Sequence, residues 1–262
     1  YEIEQHLSEQ LKITSMLREA IDLNALDLYY QPKVNGLTNS VVGVEALLRW
    51  KTADGEMIMP NDFIPIAESS QLIIPLGELV LKRACAQAFE WHKTIPHLHM
   101  AVNISPVQFN QDLVETVTTA LKESGLKAEY LELEITESLL INDEGSINII
   151  HELKALGVKL VMDDFGKGYS SLSYIRKFPL DVIKIDQAFV RNMLGDDVDK
   201  SIIQTIILLA DNLGLELVAE GVETQVHVDT LLAMSCKIFQ GYHYSRPLPV
   251  DEITQYLSAS LR

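Results

Sequence analysis

The sequence predicts an α/β fold, a TIM-like (β/α)8 barrel with one antiparallel strand near the start. Three observations predict it. Short β-rich runs alternate with longer helical patterns through nearly the whole chain. Eight strand-like runs fit within 262 residues, close to the usual length of such a barrel. No Pro/Gly/Ser-rich linker or low-complexity block separates them.

Taken in order, "YEIEQHLSEQLKITSMLREAI" carries Ile3, Leu7, Leu11, Met16, Leu17, Ala20 and Ile21 at helical spacing. It reads either as a first helix covering the bottom of the barrel or as a connector from an upstream regulatory domain. The division expected is a connector helix over 1–17 and the barrel domain over 18–262. Strands follow at 26–34 (LDLYYQPKV) and 41–49 (VVGVEALLR). Only six residues separate these two, too few for a crossover helix, so they should pair antiparallel. The remaining runs are 99–105, 130–136, 159–164, 182–186, 216–222 and 237–242. Helical stripes fill the gaps, as in "SIIQTIILLADNL", where Ile202, Ile203, Ile206, Ile207, Ala210 and Leu213 share a face that ends near Gly214.

Composition narrows the function. With 37 acidic and 21 basic side chains the net charge is −16, which argues against a phosphate-backbone footprint on a DNA or RNA duplex. Cys85 and Cys236 match no metal or redox spacing and read as reduced thiols of a cytoplasmic domain. The most apolar stretch, "IIQTIILLA" from Ile202, is too short and too interrupted to span a bilayer, so no membrane contact is expected of the domain itself.

The polar residues point to chemistry. Side chains two apart on a strand share a face, so Glu45, Asn103, Glu134, Lys184 and Glu220, each late in a separate strand, should turn inward together. In "KLVMDDFGKGYSSL" the apolar run ends in two adjacent aspartates. At about 4 Å and an effective dielectric near 20, such a pair repels by about 4 kcal/mol unless a cation lies between them. Asp163 faces inward by parity, and Asp164 joins it if the chain turns at Gly166 and Gly168. An all-oxygen set selects Mg²⁺ or Mn²⁺ over Zn²⁺. Five carboxylates and one amide suit two ions sharing a bridging ligand, an arrangement fitted to displacement at phosphorus. Lys184 and Arg49 supply positive groups for a nucleophile and a substrate phosphate. A barrel using one Mg²⁺ for enolate chemistry, with Lys184 as base, is the alternative among enzymes. The histidines of "HLH" (97–99) read as a solvated turn away from these acids.

At these residues the chain resembles the EAL domain family. The matching pieces are "YYQPKV", "GVEALLRW", "PNDFIPIAESSQLI", "VNIS", "LELEITES", "LGVKLVMDDFGKGYSSLSYI", "FPLDVIKID", "VAEGVET" and "QGYHYSRPLP". The resemblance implies a cyclic di-GMP phosphodiesterase that yields linear 5′-pGpG with two Mg²⁺ or Mn²⁺ ions. It implies a first metal site of Glu45, Asn103, Glu134 and Asp163, and a second of Asp163, Asp164 and Glu220. Lys184 matches the lysine that holds the catalytic water, with Asp164 and Glu220 also counted in the catalytic group. Gln31 and Arg49 match substrate-contacting positions, and Asp186 and Gln240 lie in pocket motifs. Glu137 and Glu223 match supporting acids, the former anchoring the loop "DDFGKGYSS". The resemblance further implies a homodimer joined near the 166–176 loop and an upstream sensory or GGDEF domain. Lys167, Val107 and "MSC" (234–236) depart from the usual pattern without removing a proposed ligand. Relatives lacking catalytic carboxylates act as cyclic di-GMP receptors or interaction modules, which is the alternative function.

Overall fold

The structure is a computed structural model and describes residues 2–52, 54–140, 144–166 and 177–260. A long helix, α1 (Glu2–Asp22), leads into β1 (Leu26–Asn35) and β2 (Ser40–Lys51). These strands pair antiparallel, with Gln31 opposite Glu45, as the short connection requires. The chain continues through β3 (Met57–Ile58), α2 (Pro60–Ser69), α3 (Ile73–His92), β4 (His99–Asn103) and α4 (Asp112–Ser124). Then come β5 (Leu131–Thr136), α5 (Glu137–Leu140), α6 (Glu144–Leu156), β6 (Lys159–Phe165), β7 (Val182–Ile185), α7 (Gln187–Asn192) and α8 (Asp197–Leu213). The last elements are β8 (Glu216–Ala219), α9 (Gln225–Ala233), β9 (Ile238–Phe239), β10 (Leu248–Pro249) and α10 (Val250–Ala259).

The ring closes in the order β1, β2, β4, β5, β6, β7, β8, β9 and back to β1. Strand β1 runs against both neighbours, and the other six ring contacts are parallel. The eight expected strands are all present. β3 and β10, two residues each, only extend β2 and β1; neither is long enough to show periodicity in the sequence. β8 and β9 are shorter than expected because the chain leaves the ladder at Glu220 and Gln240.

The helices bury their apolar stripes against the barrel. Ile203 and Ile206 of α8 join the main core with Ile183, Ile185 and Val190, Ala210 is buried on the same helix, and α8 ends at Gly214. A second cluster unites Leu17 and Ala20 of α1 with Leu26, Trp50, Phe63 and Leu76. Because Trp50 lies at the carboxyl end of β2, α1 flanks the mouth end of the barrel. This corrects the expectation that it covers the bottom. The antiparallel β1 causes the difference, since its first residues lie at the mouth. The helix is continuous across residue 17, where the connector was divided from the barrel domain.

Gly241 sits where strand ends meet tightly. A Cβ there would fall 2.1 Å from the Val222 carbonyl oxygen and 2.4 Å from its nitrogen. Backbone cannot yield as a side chain can, so Gly241→Ala should force the ends of β8 and β9 apart. The expected destabilisation is about 2 kcal/mol, read by denaturant unfolding. An unchanged unfolding midpoint would show that these ends have slack.

Candidate metal centre

Each ring strand, or the residue just after it, sends a polar side chain to the carboxyl end of the barrel. These are Gln31, Glu45, Asn103, Glu134, Asp163, Lys184, Glu220 and Gln240. They form one hydrogen-bonded set. Asn103 Nδ2 donates to Glu45 Oε1 at 2.6 Å, and Gln240 Nε2 donates to Glu45 Oε2 at 2.6 Å and to Gln31 Oε1 at 3.1 Å. Lys184, only 1% exposed, lies at the centre. Its Nζ is 2.6 Å from Glu134 Oε2, 2.7 Å from Glu220 Oε1, 3.1 Å from Asp163 Oδ1 and 3.5 Å from Glu45 Oε2.

The adjacent aspartates reach this set because β6 is irregular. Its register against β7 shifts between Met162 and Phe165, and Asp164 has φ +55. A bulge re-aims side chains that strict alternation would send to opposite faces. Asp tolerates the left-handed region better than most residues. Gly166 completes the turn at φ +104, with its missing Cβ leaving room for the Phe189 ring, 2.8 Å from where that atom would lie. Ligand oxygens of Asp163, Asp164 and Glu220 come within 4.8 Å of one another, close enough to hold a metal ion. Gly168, Lys167 and most of the loop assigned to dimer contacts lie outside the described residues.

Electrostatics fit a cation. Four carboxylates face one central ammonium, and Asp164 adds a fifth beside Asp163 and Glu220. Burial pushes the Glu220 carboxyl up to about 8 against the pull of Lys184, and Asp163 and Glu45 add to the rise. Burial, then Glu134, also raise Glu45. Burial alone would raise Glu134, but Lys184 and Lys33 reverse this and hold it below the usual carboxylate range. Burial opposes the charge on Lys184, yet Asp163, Glu134, Glu220 and Glu45 lift it well above the usual lysine range. Burial and neighbouring acids thus favour the protonated forms of Glu220 and Glu45, and a site short of positive charge that offers only oxygen donors suits hard divalent cations.

The remaining expected residues are more dispersed. Gln31 donates to the Ser245 carbonyl at 3.1 Å while accepting from Gln240. Arg49 is half-buried, donates to the Leu48 carbonyl at 2.7 Å and lies 5.6 Å from the Tyr29 ring centre. With Asn103, Pro60, Ser105 and Thr136 it lines a cavity of about 290 Å³ beside the acids. Asp186 is buried and caps α7, accepting from the Ala188 N–H at 2.8 Å. Glu137 is buried at the start of α5, and its carboxylate accepts no hydrogen bond from the described residues. Glu223 is exposed and pairs with Arg191 at 2.9 Å, away from the central lysine.

Of two further buried charges, strand parity turns Glu132 inward beside Glu134 without assigning it a role, and Lys33 was missed. Lys33 and Glu132 lie inside the barrel, two residues from Gln31 and Glu134 on the same strand faces. The parity used for the other residues identifies both. His99 is not in a solvated turn: it is partly buried, with Nδ1 3.2 Å from Glu132 Oε1.

Residues 14–247 match the EAL domain family. Among curated relatives, the bifunctional diguanylate cyclase/cyclic di-GMP phosphodiesterase MucR of Pseudomonas aeruginosa is 40% identical over 248 residues, covering 94% of this chain and 36% of that protein. The cyclic di-GMP phosphodiesterase NbdA of the same organism is 38% identical over 255 residues, covering 96% of this chain and 33% of that protein. The chain thus spans about a third of the length of these relatives. A solved structure of the PaMucR phosphodiesterase with c-di-GMP superposes with a TM-score of 0.89 at 39% identity, covering 92% of this chain and 99% of that one. With the sequence match, the eight-stranded ring and the acid cluster all in agreement, the chain belongs to the EAL domain family.

Proposed function

We propose that this domain hydrolyses one 3′,5′-phosphodiester bond of cyclic di-GMP to linear 5′-pGpG, using two Mg²⁺ or Mn²⁺ ions. The observation that carries this is the convergence of Glu45, Asn103, Glu134, Asp163, Asp164 and Glu220 around Lys184 at the barrel mouth. Glu45, Asn103, Glu134 and Asp163 would hold one ion; Asp163, Asp164 and Glu220 would hold the other. Such ions supply a nucleophilic water at neutral pH and neutralise charge on the phosphoryl oxygens. Lys184 holds the attacking water, with its ammonium kept charged by the surrounding acids. Gln31, Arg49, Asp186 and Gln240 orient the dinucleotide, and Arg49 faces its phosphate from the neighbouring cavity wall. Glu137 and Glu223 support the loops around them.

The named activities of MucR and NbdA support this reading. Around it we place a cytoplasmic domain within a longer chain, fed by an upstream sensory or GGDEF domain through the connector of residues 1–17, and working as a homodimer. No helix among the described residues is long and apolar enough to cross a membrane.

The test is incubation of the purified domain with cyclic di-GMP and Mg²⁺ or Mn²⁺, followed by chromatography. Appearance of 5′-pGpG is expected. Binding without product under either ion would favour a receptor instead.

A pH effect follows from the raised acids. In the metal-free fold Glu220 titrates near 8, whereas an unfolded glutamate titrates near 4.3. The folded state therefore binds more protons between those values, and stability must fall as pH rises. The contribution is fully present below the unfolded value and lost as pH passes through about 8. Melting in EDTA should show a falling midpoint from about pH 5 to 8. Millimolar Mn²⁺ should flatten the slope, because bound metal replaces the protons. A metal-free midpoint that rises across this window would contradict the assignment.

A further inference from the structure

Below the acid ring, the barrel interior is largely apolar. Val161, Val182, Val218 and Ile238 form one cluster there, each two residues before Asp163, Lys184, Glu220 or Gln240. The other half of this floor holds Lys33, 2% exposed, and Glu132, 6% exposed. An ion pair so deeply buried is seldom more stabilising than apolar side chains of the same volume. A fold that fills half of its floor with valine and isoleucine had an apolar solution available. The pair therefore calls for a role beyond stability.

Its geometry supplies one. Lys33 Nζ lies 2.8 Å from Glu134 Oε1 and 2.9 Å from Glu132 Oε2. The other oxygen of Glu134 faces Lys184 at 2.6 Å. Glu132 is approached in turn by His99 Nδ1 at 3.2 Å. Lys33 is thus fastened from below and cannot follow Glu134 upward, whereas Lys184 lies among several acids and can pass from one to another. A cation arriving at the mouth can take the Oε2 face of Glu134 from Lys184, but it meets Oε1 already held.

We propose that Lys33, fastened by Glu132, is a positioning residue that fixes Glu134 as a one-oxygen metal ligand. This rests on the metal-dependent reading above. Holding one oxygen stops the carboxylate from rotating to chelate with both, which leaves coordination positions open for water and phosphate. Groups that hold a metal's ligands in this way commonly change metal affinity or activity by about 10–100-fold when removed.

Two measurements test it. The first compares the parent domain with Lys33→Met/Glu132→Gln, which removes one charge of each sign and so preserves the net charge of the interior. Titration calorimetry with Mn²⁺ should show affinity about 10–100-fold weaker in the variant. The kcat should fall in parallel, and KM for cyclic di-GMP should stay within about twofold, because no substrate contact is altered. Mn²⁺ affinity within about threefold of the parent would leave Lys33 as a floor residue only and overturn the proposal. The second needs no variant and holds even if the double substitution prevents folding: a crystal structure of the parent with Mn²⁺. Glu134 should meet the ion through Oε2 alone, with Lys33 still on Oε1. Chelation by both oxygens, or a parent that binds no Mn²⁺, would overturn the proposal. Both readouts concern metal binding, so they decide it even if the parent leaves cyclic di-GMP uncut, a result that would defeat only the substrate assignment.

Discussion

Asp164→Asn should lower cyclic di-GMP hydrolysis by about 100-fold or more, the scale seen when one charge-stabilising group is removed from an active site. The substitution is well matched to its position. Asp164 has φ +55, and asparagine accepts that left-handed conformation as readily as aspartate, so the bulge and the turn at Gly166 should persist. Only the charge is lost. Of the oxygens that could form the second site, those of Asp163 and Glu220 remain, with one full carboxylate fewer facing the ion. Mn²⁺ titration should therefore show the second binding event weakened or absent while the melting transition remains cooperative. Retention of activity within about tenfold would defeat the two-ion arrangement and leave the hydrolysis to a site in which Asp164 has no essential part.

Lys184→Met should have an equally large but different effect. The Lys184 ammonium lies within 3.5 Å of four carboxylates from β2, β5, β6 and the end of β8. Without it, the metal-free protein keeps the acids but loses their central counter-charge. Removing one partner from a buried pair commonly destabilises by about 3–5 kcal/mol, measurable by urea unfolding in EDTA. Divalent metal should restore most of this, because the ions supply the missing positive charge. Mn²⁺ affinity should hold or tighten, since a competing cation has gone. Turnover should nevertheless fall by about 100-fold or more if Lys184 holds the attacking water. Thus Asp164→Asn impairs metal binding and chemistry together, while Lys184→Met separates them. Near-parental turnover in the lysine variant would assign Lys184 to charge balance alone.

Much of the site was legible because a barrel converts strand parity into spatial position. Glu45, Asn103, Glu134, Lys184 and Glu220 needed only the period of two and a common carboxyl end to be placed together. The same rule covered Lys33 and Glu132. It turned Glu132 inward without giving it a role, and Lys33 was passed over because a lone lysine in a strand reads as a snorkelling or edge residue. Asp164 was harder: strict alternation sends it outward, and only the register break between Met162 and Phe165 turns it back. His99 was misplaced for a related reason. Its exposure depends on Glu132 and Tyr130, which flank it across the sheet rather than along the chain.

Local order alone determined the eight strands, the antiparallel start, the helical stripes and the types of atom available as ligands, because alternation, loop length and side-chain chemistry are properties of neighbouring residues. Tertiary structure decided that α1 flanks the mouth, that one lysine contacts four acids at once, and that a second lysine steadies one of them from beneath. Those facts arise from closure of the ring, which brings together side chains as much as 209 residues apart, as in the contact between Gln31 and Gln240. Distances across a closed barrel are set by strand tilt and stagger, which no single segment encodes.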